Sequence, residues 1–307
     1  MDNTKLQENP LSPLSPVDGR NGLKKIGEAR DHLVTGEAFS IWHCDQSGLR
    51  LTWPWPDKEA IAAYYKSQDY ISHSNSSNGI INRLYKTARV FTLRSKRNLI
   101  NRNAPEKGRL LDVGCGTGEF LYSMKKSGWE VTGIEPDEAT RKSATWNYGL
   151  EIHPVEDFFD FPDDHFDVIT LWHVLEHVDD LNSYMAKLRS MLRPGGMLVL
   201  ALPNYTSYDA GFYGLDWAGY DVPRHHYHFS PDSVKKVLQR YHFELATMKR
   251  MHLDAPYVCM LTEKNRGEKG NLLRGIAVGG LSWLHSLTKT EKSSSITYLA
   301  RPVSGQP

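Results

Sequence analysis

Short apolar runs alternate with helical stripes through the middle of the chain. Leu110, Leu111 and Val113 form an apolar run of the kind found in a strand buried on both faces, inside the segment RLLDVGCGTG at 109–118. Gly114, Gly116 and Gly118 follow, and the stretch Glu119 to Lys126 carries Phe120, Leu121 and Met124 at helical spacing. Ser127 and Gly128 break that helix, and WEVTGIEPD predicts a second buried strand. FDVITLWHVLEHV, from Phe166 to Val178, predicts a strand over Asp167 to Leu171 that turns into a helix near His173. SYMAKLRSMLRPGGMLVLALPN then predicts a helix stopped by Pro194, Gly195 and Gly196, followed by a strand from Met197 to Leu202. Strands and helices alternating at this spacing imply crossover units and a parallel sheet covered on both sides.

The flanks differ. Residues 56–66 and 78–101 have a helical pattern, with Ile81, Leu84, Tyr85, Ala88 and Val90 as an apolar stripe. After Met251 the chain predicts a strand, a helical insertion and a closing antiparallel strand at ITYLAR. The insertion from Leu272 to Leu287 is apolar but contains Arg274 and several glycines, and is too short and broken to span a bilayer. It either lies on a membrane surface or covers a greasy acceptor. MDNTKLQENPLSPLSPVDGR at the start is polar and proline-rich without an apolar stretch, so it predicts disorder rather than a signal peptide.

Composition narrows the partners. The 37 Lys plus Arg balance 36 Asp plus Glu, so no basic footprint for nucleic acid is present. Cys44, Cys115 and Cys259 are far apart and make no disulfide framework, which fits a reducing cytoplasm. The sequence leaves the oligomeric state unknown.

The candidate chemistry starts at the glycine turn. Glycines there accept backbone angles that a Cβ forbids and let a ligand lie against the main chain. Glu135 ends the second predicted strand, 17 residues past Gly118, where an acid can accept both hydroxyl protons of a ribose. The turn reads G-x-G-x-G with Asp112 two residues ahead of it, whereas nicotinamide dehydrogenases show G-x-G-x-x-G.

DVGCGTG at 112–118, GIEPD at 133–137, FDVI at 166–169, VLEHV at 174–178 and LRPGG at 192–196, in this order, make the chain similar to class I S-adenosylmethionine-dependent methyltransferases. WAGYDVPRHHYHFS at 217–230 resembles a bacterial subgroup that often carries an N-terminal zinc ribbon. The resemblance implies that Gly114, Cys115, Gly116 and Gly118 hold the methionine part of the cofactor, that Asp112 orders the turn and the amino group, and that Glu135 binds the ribose. It further implies Pro136 beside the adenine, either Glu156 or Asp157 at the adenine amino group, and Leu171, Trp172 and His173 close to the sulfonium. The ribbon's cysteine pair is reduced here to Cys44 followed by Ser47 in HCDQSG, and structural zinc needs four ligands, so the metal of the ribbon is expected to be lost.

Methyl transfer to a hydroxyl needs a base or a metal near the acceptor. His225 in PRHHYHF and His173 in HVLEH are the candidate catalytic residues. On a helix His173, Glu176 and His177 would share one face. In the resembling ubiquinone-pathway and small-RNA methyltransferases, an ExxEH segment at this place holds a divalent metal. This chain has His173 in place of the first Glu, which suits zinc, iron or manganese better than magnesium, with His225 as a fourth ligand. The competing reading gives Glu176 and His177 a purely structural role at the cofactor loop.

For the acceptor, the aromatic stretch at 205–221, which includes Tyr213 and Trp217, reads either as a substrate lid or as a satellite core. Arg224 is either an anion holder or the partner of Asp221. Tyr70 and His73 in QDYISHSNSSNG either close over the cofactor from the N-terminal side or belong to an ordinary exposed loop.

The expected fold is α/β, a Rossmann-like, doubly wound, mostly parallel seven-stranded sheet with an antiparallel last strand, plus an N-terminal helical region. The expected division is a disordered tail at 1–25, a degenerate zinc-ribbon remnant with N-terminal helices at 26–105, and a methyltransferase domain at 106–307 with a substrate insertion at about 205–228. The expected activity is O-methylation of a small molecule, sugar or quinone-like precursor. N- or C-methylation, or cofactor binding without catalysis, is the alternative.

Overall fold

The computed structural model of the protein describes residues 13–17, 22–65, 80–104 and 106–303. In chain order the elements are β1 (Leu23–Arg30), β2 (Ala38–Cys44), β3 (Arg50–Trp53), α1 (Lys58–Tyr64), α2 (Ile80–Asn103), β4 (Arg109–Val113), α3 (Glu119–Lys125), β5 (Glu130–Ile134), α4 (Glu138–Tyr148) and β6 (Glu151–His153). They continue with β7 (Phe166–Trp172), α5 (Leu181–Met191), β8 (Leu192–Pro203), α6 (Tyr208–Tyr213), β9 (Tyr227–His228), α7 (Pro231–Arg240), β10 (Phe243–Arg250), α8 (Asp254–Asn265), α9 (Leu272–Thr288) and β11 (Ser295–Pro302).

Two compact units form, and neither is continuous in sequence. The first takes residues 1–73, 203–236 and 254–294; the second takes 74–202, 237–253 and 295–307. This replaces the expected linear division. β3 pairs antiparallel with β9, Arg50 opposite His228 and Leu51 opposite Tyr227, so the expected substrate insertion is tied to the N-terminal strands. A two-residue strand such as β9 is too short to announce itself by alternation.

The first unit holds a four-stranded sheet in the order β1-β2-β3-β9. Residues 26–55, expected to carry a zinc-ribbon remnant, hold most of β1 with β2 and β3, and the helices expected at 56–66 and 78–101 form as α1 and α2; β1 begins at Leu23, inside the expected tail. The rest of that tail falls mostly outside the described residues. Phe39, Ile41, Tyr64, Tyr205, Tyr213, Trp217, Tyr220 and Cys259 form the unit's core. At the end of β2 the Ser47 N–H donates to Cys44 Sγ at 3.5 Å, and no other cysteine precedes Cys115 in the chain.

The second unit holds the seven-stranded sheet, ordered β10-β11-β8-β7-β4-β5-β6. β4 pairs parallel with β5 and β7, β5 with β6, and β7 with β8. β10 and β11 run antiparallel to each other. Leu110, Leu111, Leu121, Met124, Val168 and Val199 are buried between sheet and helices, and each such side chain contributes roughly 1.5–3 kcal/mol on burial. Strand order reverses at β4, whose neighbours lead in opposite directions through the sequence. In an open parallel sheet that reversal leaves a crevice beyond the carboxyl ends of the strands, where ligands bind.

One expected helix is missing. Beyond β7 the residues from His173 form turns, and α5 starts only after Asp180, whose side chain accepts the Asn182 and Ser183 N–H groups at 3.0 and 3.3 Å. That cap fixes the helix start nine residues past the end of the strand. Among the described residues no helix is long and apolar enough to cross a membrane.

Candidate active site

A cavity of about 400 Å³ opens at the carboxyl ends of β4 and β7 in the second unit, within the range typical of small-molecule sites. Its walls come from the glycine turn (Gly114, Cys115, Gly116, Thr117), from Asp112, from Glu119 and Phe120 of α3, from Trp172, and from Thr92, Leu93 and Lys96 of α2.

The glycines of the turn do different work. A Cβ on Gly114 would sit 2.5 Å from Val174 Cγ2, and one on Gly118 would sit 2.7 Å from Leu150 Cδ1, so both are needed for close packing of the protein itself. Gly116, at φ +53°, has nothing within 4 Å of where its Cβ would be. Its missing side chain leaves an open cradle on the cavity side.

Two carboxylates secure this turn and its floor. Glu135, just past β5, accepts the Gly116 N–H at 2.9 Å through Oε2 and the Asp137 N–H at 3.1 Å through Oε1. Burial pushes its carboxyl above the ordinary range, against the pull of those two N–H bonds. Asp112 is almost fully buried at the end of β4, and Thr170, its register partner on β7, donates a hydroxyl hydrogen bond to Oδ1 at 2.6 Å. Burial pushes the Asp112 carboxyl up to about 7, with Thr170 and the Lys96 ammonium pulling the other way.

Trp172 closes another side. Its ring packs edge-on to Phe120 at 5.5 Å, and Lys96 Nζ lies 4.2 Å from its centroid. Its Nε1 is buried and has no hydrogen-bond partner among the described residues.

His173 follows at φ +60°, a left-handed conformation that costs a non-glycine residue about 1–2 kcal/mol. Its N–H is fixed on the Ala201 carbonyl at 3.0 Å. Its Nδ1 lies 3.3 Å from Oε1 of the buried Glu176. The expected helical face of His173, Glu176 and His177 is corrected to a turn, because the left-handed His173 breaks any helix there. The His173–Glu176 pairing persists without it. Leu171 is fully buried in the sheet, so only its neighbour Trp172 reaches the cavity.

The remaining cofactor candidates stand outside the cavity lining. Pro136 is exposed, its carbonyl accepting from Arg141 at 2.6 Å. Asp157 Oδ2 pairs with His153 Nδ1 at 3.1 Å, and Glu156 is exposed in the same turn of 3-10 helix. Cys115 contributes to the wall, and burial pushes its thiol up, so it is a small apolar group there.

The acceptor candidates fare differently. Arg224 is buried and makes the expected pair with Asp221: it lies 2.6 Å from Asp221 and 3.0 Å from Asp31, and donates to the Tyr64 carbonyl at 3.2 Å. A guanidinium so buried must have its charge met internally. Tyr213 donates to Glu263 at 2.9 Å and Trp217 to Asp209 at 2.8 Å, and both are buried, so the aromatic stretch forms a satellite core in place of a lid. His225 is buried in the first unit with Nδ1 3.0 Å from the Gly219 carbonyl. Tyr70 and His73 lie outside the described residues.

Sequence reasoning missed Lys96, Thr92 and Thr170. Thr170 was readable in principle, since a parallel sheet that aligns VIT with LLD puts it beside Asp112. The helix residues line the cavity only through tertiary packing, which no local pattern encodes.

A family model described as a methyltransferase domain matches residues 87–247, just over half the chain. Two ubiquinone biosynthesis O-methyltransferases are among the similar proteins. The one from Maricaulis maris is 31% identical over 144 residues, covering 43% of this chain and 57% of that protein. The one from Actinobacillus pleuropneumoniae is 39% identical over 110 residues, covering 32% and 47%. This chain thus spans about half the length of these relatives. A crystal structure of an S-adenosylmethionine-dependent methyltransferase from Archaeoglobus fulgidus has a TM-score of 0.45 and 19% identity, covering 68% of this chain and 94% of that one. With the glycine turn, its two carboxylates and the reversal of strand order all inside the matched region, the chain belongs to the class I S-adenosylmethionine-dependent methyltransferase family.

Proposed function

We propose that this protein methylates a hydroxyl oxygen of a small acceptor of the quinone-precursor class, with S-adenosylmethionine as donor. The observation that carries the reading is the open cradle at Gly116 in a cavity that the buried Asp112 also lines. Names of the relatives, ubiquinone biosynthesis O-methyltransferase, support the acceptor class.

The residues fit the donor on two counts. Gly116 leaves room against the main chain, and Asp112 puts a carboxyl in the wall. The turn from Gly114 to Thr117 would hold the methionyl part, Asp112 its ammonium, and Glu135 the ribose, using the acceptor capacity left after its two backbone bonds. When bound, the donor supplies an electrophilic methyl group on a sulfonium, already activated for in-line displacement.

The chain's own task is then to orient the acceptor and remove its proton. His173 is assigned that role in this proposal, one residue beyond the cavity wall at Trp172. Glu176 steadies the ring through Nδ1, so the acceptor proton is assigned to Nε2. The left-handed backbone at His173 is the kind of local strain that persists where surrounding structure over-determines it, as at reactive sites.

The test incubates the protein with donor labelled in its methyl group and a set of hydroxylated quinone precursors. Label should appear as an O-methyl ether of one of them. Label on nitrogen or carbon, or none while the donor still binds, overturns the acceptor assignment.

A further inference from the structure

Helix α9 in the first unit is inside out. Its inward side is made of Gly275, Val278, Gly279, Ser282 and Ser286, all buried. A Cβ on Gly279 would meet Pro256 Cα at 2.7 Å and one on Gly275 the Cys259 carbonyl at 3.1 Å, so small residues are required where α9 lies on α8. Ser282 donates to the buried Asp209 at 2.7 Å. The large apolar side chains are on the other side. Leu272, Leu273, Ile276, Trp283, Leu284 and Leu287 are all exposed, Leu273 at 77%.

An uncharged, leucine-rich face open to solvent carries a standing free-energy cost, and on a folded protein it marks an interaction surface. At 100° per residue these six positions and the exposed Leu281 spread over about half the helix circumference. A helix partner, including α9 of a second copy, needs a narrower seam of two positions per heptad. Breadth on this scale fits a planar apolar medium. The 17-residue helix is about 25 Å long, and its packing on α8 prevents it from inserting end-on.

Charge points the same way. Lys264, Arg266 and Lys269 precede the helix and Lys289 and Lys292 follow it, against Glu268 and Glu291 in the same flanks, with Arg266 also paired to Asp216 at 3.5 Å. Arg274 is the one Lys, Arg, Asp or Glu within the helix, and its guanidinium is held by the buried Glu263 at 2.6 Å. We propose that the outer face of α9 seats the protein on an anionic bilayer surface, with the helix in the headgroup plane and the flanking cations at phosphate level. Trp283 sits at the depth where an indole bridges apolar and wet regions.

The experiment is flotation of the full chain with vesicles of phosphatidylcholine and phosphatidylglycerol, without methyl donor or acceptor, so the outcome is independent of the activity proposed above. The wild type should float with the vesicles. The Leu273→Ser, Leu284→Ser double variant should partition about tenfold less or lower, while melting at the wild-type temperature because both side chains are exposed. Vesicles of phosphatidylcholine alone should bind several-fold less. The intrinsic fluorescence lost in Trp283→Phe should be the part quenched by bromine-labelled lipid.

A wild type that stays out of the vesicles overturns the proposal, as does equal flotation of the double variant. Self-association in ultracentrifugation, abolished by the double variant without any vesicle binding, would give the face to a second copy instead.

Discussion

Replacing Asp112 by Asn tests whether the floor of the cavity is set by a buried, titrating carboxyl. The folded chain holds this group at about 7, roughly three units above an unfolded aspartate, and each unit is worth about 1.4 kcal/mol. The sign follows from proton binding. Between about pH 4 and 7 the folded state keeps a proton that the unfolded state has lost, so stability is greatest below about 4 and falls as pH rises to 7. The full loss is of order 4 kcal/mol, reached above pH 7. Asn cannot titrate and fills the same space.

Urea unfolding of both proteins at pH 5 and pH 8 therefore gives a difference that moves in favour of the Asn variant as pH rises, by an amount of order 3 kcal/mol. Other titrating groups cancel in the difference. Donor binding should add a second signature. An ammonium placed against Asp112 needs the carboxylate, so wild-type affinity should fall about tenfold between pH 8 and pH 6, with proton release on binding. The Asn variant should bind weakly with a flatter profile. A stability difference that does not change between pH 5 and 8 would refute the reasoning.

Thr170→Val removes the 2.6 Å hydrogen bond to Asp112. The Asp112 midpoint should move further up, and the acid limb of the donor-affinity profile with it, at a stability cost of about 1–2 kcal/mol. His173→Ala should lower kcat by about 10²–10⁴ with donor Kd within a few-fold of wild type; a loss of donor binding instead would make the residue part of the cofactor wall. Arg224→Met should destabilise the protein by about 3–5 kcal/mol by stranding Asp31, which is fully buried. Wild-type stability in that variant, with acceptor KM raised, would restore Arg224 as an anion holder.

The alternation of buried runs and helical stripes between Arg109 and Leu202 made the parallel sheet legible, because buried strands and amphipathic helices are local patterns. The glycine turn and Glu135 were legible for the same reason: spacing along the chain fixes their place at the strand ends. Legibility failed where local pattern and tertiary demand separate. HVLEH has helical spacing, yet the left-handed His173 and the Asp180 cap give the helix to the next segment. That cap, D-L-N-S, was itself a start signal in the sequence.

The aromatic stretch at 205–221 has no regular period, and whether its rings face a ligand or each other depends on partners far along the chain. Tyr213 finds Glu263 and Trp217 finds Asp209, in a core that also takes residues from β2 and α8. Arg224 meets Asp31 across 193 positions. Separations of that size leave no local trace, and they are also why the division into two units could not be read as consecutive segments.

The central claim is that the turn at Gly114 to Thr117 is a donor site, and calorimetric titration with S-adenosylhomocysteine, beside Gly116→Val, tests it most directly. The wild type should bind at one site per chain, and the Val variant, which puts a side chain into the open cradle and strains the left-handed backbone at φ +53°, should lose binding while its circular dichroism and melting show a folded protein. No binding by folded wild type, or equal binding by the Val variant, would contradict the account.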